Sequence, residues 1–113
     1  MRLLVLALLL APLAAQAQGT GHQHHARPAD TPATRAFKEA NDRMHRDMDI
    51  RITGDADRDF VAGMIAHHQG AIDMAKIVLQ HGKDPEIRKL AEEVVAAQEK
   101  EIAQMKEWQA KRR

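Results

Sequence analysis

The chain holds 113 residues, with 17 Lys and Arg against 16 Asp and Glu, no cysteine, two Phe, one Trp and no Tyr. That length allows one folded domain and excludes a multidomain enzyme, and the balanced charge offers no field to attract nucleic acid or another polyanion. Without cysteine there is no disulfide, no thiolate metal site, no C-x-x-C-H haem attachment and no cysteine nucleophile. The scarcity of aromatic residues argues against a β-sandwich, whereas the abundant Ala, Glu, Lys and Gln are helix formers.

Residues 1–17 have the pattern of a secretory signal peptide. Arg2 is followed by an apolar run from Leu3 to Leu13 and by Ala15-Gln16-Ala17, an A-x-A cleavage site. The run is shorter than the roughly 20 apolar residues of a membrane-spanning helix. Cleavage would leave 96 of the 113 residues, beginning at Gln18, and no membrane span in the mature protein. The expected location is the periplasm. Residues 18–33 read as a disordered, His-containing linker, punctuated by Gly19, Gly21, Pro28 and Pro32 and poor in apolar side chains. Its His22, His24 and His25 form a short tract of the kind that binds metal weakly.

Residues 34–113 carry the helical patterns. A first helix is expected from about Thr34 to Ile50, with Phe37, Ala40, Asn41, Met44 and Met48 on one stripe and His45 beside it. Thr53-Gly54 ends that pattern. A second helix is expected from about Asp57 to His81, capped by Asp55 or Asp57, with Gly82 as its C′ residue. Phe60, Met64, His67, His68, Ala71, Met74, Ala75 and Val78 fall on one arc of it, so both histidines are expected to face inward. A third helix starts with Asp84 as N-cap and Pro85 at N1. Its inner arc holds Ile87, Leu90, Ala91, Val94, Gln98, Glu101, Ile102, Met105 and Trp108. The fold class is therefore all-α, an antiparallel bundle of three helices. So small a core is marginal alone, and a homodimer that completes the bundle is expected.

The chemistry concentrates between Asp59 and Ala75. Met64, His67, His68 and Met74 present thioether and imidazole on nearly one face of a helix. Such soft and borderline donors, with no thiolate beside them, suit copper, Cu(I) foremost and Cu(II) second. Zinc would accept the histidines and gain little from thioether sulfur. Met44, His45 and Met48 repeat the donor set on the first helix, and Met105 adds a thioether on the third. An enzyme is not expected. Serine is absent, His-Glu-x-x-His is missing, and the Glu-x-x-His of carboxylate di-iron bundles does not occur. The alternative is a helical interaction module of the cell envelope. Its methionines would be core filler, and His67 and His68 would lock the bundle by bonding Glu101 or Gln98.

The run Met64-Ile65-x-His67-His68-x-x-Ala71-Ile72-x-Met74-Ala75 resembles the signature of a bacterial secreted family labelled a domain of unknown function. Leu90-Ala91 through Gln98-x-x-Glu101-Ile102-x-x-Met105 resembles that family's second block. The resemblance covers about residues 37 to 110. It implies a ferritin-like helical fold. The family includes the CopM-type periplasmic copper-binding proteins, which implies copper as cargo for sequestration, resistance or delivery to a partner protein. It further implies that Met44, His45, Met48, Met64, His67, His68, Met74 and Met105 are metal ligands. Two departures stand out: there is room for three helices rather than four, and no long Met-rich extension is present.

Overall fold

A computed structural model describes residues 30–112. The signal-peptide segment, most of the His-containing linker and Arg113 lie outside them. Three α-helices account for the fold: α1, Pro32–Met48; α2, Ala56–His81; α3, Pro85–Ala110. No strand occurs among the described residues. The described residues form the expected all-α, three-helix bundle.

Each helix starts where a side chain satisfies its first free N–H groups. Thr31 caps α1 by accepting from Thr34 N, with Pro32 behind it in the first turn. α1 therefore begins two residues before the expected Thr34, and Pro32 is a helix starter rather than linker punctuation. It stops at Met48 instead of Ile50, where the Asp49 N–H turns back to the Arg46 carbonyl. Asp55 caps α2 through Asp57 N and Arg58 N, and Asp84 caps α3 through Glu86 N and Ile87 N.

The connection from α1 to α2 is held by Asp59. Its carboxylate accepts from Thr53 N at 2.9 Å, Thr53 Oγ1 at 2.7 Å and Gly54 N at 3.0 Å. Those donors hold the Asp59 carboxyl below its ordinary pKa, the Thr53 backbone N–H contributing most. Gly54 sits at φ 91°, which an L side chain rarely adopts. At the far end of α2, Gly82 is the C-cap itself, with φ −74°, and not a left-handed C′ residue. A glycine fits there for another reason: a Cβ would stand 2.6 Å from the Val78 carbonyl oxygen. Arg88 closes this corner by donating to the carbonyls of Leu79 and Gly82.

The central helix is α2. Both α1 and α3 pack along it, and they do not pack on one another. Each neighbour runs antiparallel to α2. On the α3 side the buried residues include Ile72, Ala91 and Ile102; on the α1 side Ala40 is buried at 1% exposure. The core is small, as the length implies, and several expected core residues are open. Phe60, Ile87 and Leu90 are 63%, 50% and 53% exposed. Asn41 also faces solvent.

Candidate metal centre

The two adjacent histidines part company. One residue along a helix turns the side chain by about 100°, and α3 lies on only one side of α2. His68 is buried at 7% exposure, whereas His67 is exposed. Their rings meet edge to face, with centroids 6.2 Å apart. The expectation that both face inward is corrected for His67.

His68 Nε2 and Glu101 Oε2 are 2.5 Å apart, across the α2–α3 contact. Glu101 is itself half open to solvent. The other ring nitrogen, His68 Nδ1, is buried and has no hydrogen-bond partner, and neither has the buried Gln98 Oε1. In the neutral ring, a proton on Nε2 facing the carboxylate leaves Nδ1 as an acceptor. Two buried acceptors with no donor are a costly arrangement, resolved by a water or a cation.

Around His68 and Glu101 runs a groove of about 430 Å³, whose lining includes Phe60, Met64, Met105 and Trp108. Met64 stands one turn before His68 on α2, and Met105 one turn after Glu101 on α3. The bundle thus unites Met64, His68 and Met105 and leaves the other expected ligands apart. Met44 packs on the opposite flank of α2, where a Cβ at Gly70 would stand 2.5 Å from its Sδ. His45 and Met48 are exposed on α1. Met74, 40% exposed, lines a second groove with Phe37, Val78, Ile87, Leu90 and Val94. His22, His24 and His25 lie outside the described residues.

Glu101 is the residue of the candidate site that donor spacing undervalued. It appeared as a position on the inner arc of α3 and as one bonding option of a structural histidine. The signal that marks it is its phase, shared with Met105 one turn on. Among the described residues no three His, Asp or Glu side chains converge on one point.

These features define a small three-helix protein whose central groove holds thioether and imidazole together. The chain belongs to the family described as Domain of unknown function (DUF305), whose model matches residues 6–109 and so takes in all three helices but for the last residue of α3. It is also similar to the uncharacterized protein L153 of Acanthamoeba polyphaga mimivirus, 41% identical over 49 residues, which are 43% of this chain and 32% of that protein. The chain spans about a third of the length of that curated relative.

Proposed function

We propose that this protein binds copper, chiefly as Cu(I), outside the cytoplasm, and serves in copper sequestration, resistance or delivery to a partner protein. The observation that carries the reading is His68. Its Nε2 faces a carboxylate, and its Nδ1 is buried without a partner. Metal-ligating histidines have this arrangement, with a carboxylate on the far nitrogen setting tautomer and ring orientation. Met64 and Met105 line the same groove, and thioether beside imidazole favours Cu(I) over harder cations. The signal-like segment at residues 1–17 supports an extracytoplasmic, periplasmic location, and no helix among the described residues is long and apolar enough to cross a membrane. The ferritin-like likeness and the CopM-type relationship belong to this proposal.

The competing reading makes the pair purely structural, the His68–Glu101 bond locking α2 to α3 in an envelope interaction module. The free Nδ1 favours the metal reading, because a locking residue gains nothing from an orphaned atom. The test is an anaerobic Cu(I) competition titration against a chromogenic chelator, with Zn(II) in parallel. Tight, stoichiometric Cu(I) binding with weak zinc binding is expected. Failure to compete for Cu(I) would return Met64, Met105 and His68 to the core. The double variant His67→Ala, His68→Ala separates the readings further: it should lose copper yet keep the metal-free fold.

A further inference from the structure

One face of α2 is left open between its contacts with α1 and α3. It carries Phe60, Met64, His67, Ala71, Met74 and Val78, spaced 4, 3, 4, 3 and 4. That is the a/d spacing of a helix-packing seam. None of the six is buried. The charged residues of α2 between Phe60 and Val78, Asp73 and Lys76, lie on the opposite side of the helix. α3 borders the seam with the exposed Ile87 and Leu90, and the two grooves described above run along it.

We propose that a second copy of this chain docks its α2–α3 hairpin antiparallel on this face, and that the partner's Met74 completes the centre formed by Met64 and His68. The inference rests on the copper reading and supplies the donor that a single chain leaves stranded. Met74 lies ten residues beyond Met64, about 15 Å along the helix axis, too far for one ion to be shared by the two thioethers of one chain.

Two features select a second copy in this orientation. The seam reads the same in both directions, so antiparallel pairing sets Phe60 against the partner's Val78, Met64 against the partner's Met74, and the large His67 against the partner's small Ala71. The area is adequate as well. Two helices of 26 residues make a face about 39 Å long and about 20 Å wide, of the order of the 800 Å² per partner that a standard specific interface buries. The resulting dimer has two equivalent copper centres.

The first experiment is sedimentation of the metal-free protein. A dimer is expected, and Ala71→Glu, which puts a charge at the middle of the seam, should yield a monomer that stays helical. A monomeric wild type would overturn the proposal whatever the copper result. The second is a mixing test between His68→Ala and Met74→Leu chains. Each variant alone should bind Cu(I) at least tenfold more weakly. In a 1:1 mixture, half the dimers are hybrids, and each hybrid pairs one intact His68 with the other chain's intact Met74. About a quarter of the sites should therefore regain full affinity. A dimer whose mixture regains none would overturn donation by the partner. A dimer that binds no Cu(I) in wild-type form would overturn the copper reading and, with it, the role given to Met74, while leaving the docking geometry standing.

Discussion

Methionine does different things on the two flanks of α2. On the α1 flank, Met44 lies across Gly70, the glycine leaving just enough room for its thioether. The nearby polar contact is an ion pair between Arg43 and Asp73 at 3.6 Å, both partly in water. On the α3 flank, Met64 and Met105 line an open groove beside a buried imidazole with a free nitrogen. Thioether is adaptable in both places. On the first flank it fills a gap between backbones; on the second it stands beside another donor. The polar atom next to a methionine decides its role, and spacing along the helix does not.

The largest expected effects separate the flanks by copper affinity. Glu101→Gln should weaken Cu(I) binding by about 10- to 100-fold, the usual cost of losing a carboxylate behind a ligating histidine. Met44→Leu should leave affinity within about twofold. Equal losses in the two variants, read by chelator competition, would erase the distinction. Next comes stability on the α1 flank. Gly70→Ala gains about 0.5–1 kcal/mol of helix propensity, but its Cβ meets Met44 Sδ at 2.5 Å, Cγ at 2.9 Å and Cβ at 3.2 Å. The Met44 Cβ is fixed to α1 and cannot swing aside, so overpacking of about 1–3 kcal/mol should win. Urea unfolding should show a net loss, partly recovered when Met44→Ala is added. Copper binding should not change.

How much of this was legible in the sequence follows from the same contrast. Caps and helix identity are local, and Asp55, Asp84 and Pro85 announced two starts. Thr31-Pro32 is the same signal as Asp84-Pro85, hidden because a proline next to a His-rich tract reads as linker. Periodicity placed His67 and His68 on one apolar arc, as it should. It could not say that α3 would cover only one edge of that arc. Ile87 and Leu90 read as core for the same reason: a helical stripe shows that a face wants cover, and the three described helices do not supply it. The convergence of Met44, His45 and Met48 on the groove failed because α1 and α3 take different flanks of α2. Chain order does not reveal that choice.

Smaller effects test the parts that were legible. Asp84→Ala should cost about 1 kcal/mol through the lost α3 cap, measured by thermal unfolding. The smallest is at Asp59. Its folded pKa lies below 3.8 because Thr53 and Gly54 donate to the carboxylate. The unfolded chain therefore binds the proton more readily, and the stabilisation is present above the ordinary carboxylate range and lost as pH falls through the folded value. Asp59→Asn should flatten that part of the acid limb of stability against pH. An unchanged limb would show that the loop donors do not hold the carboxylate in solution.

The central claim is that His68 offers a free Nδ1 to copper while Glu101 holds its Nε2. Nitrogen-15 imidazole NMR reads both nitrogens directly, and Cu(I) is diamagnetic. In the metal-free protein His68 should carry its proton on Nε2, and the Nδ1 resonance should shift on adding one equivalent of Cu(I). A proton on Nδ1, or an Nδ1 resonance that Cu(I) leaves unmoved, would contradict the account.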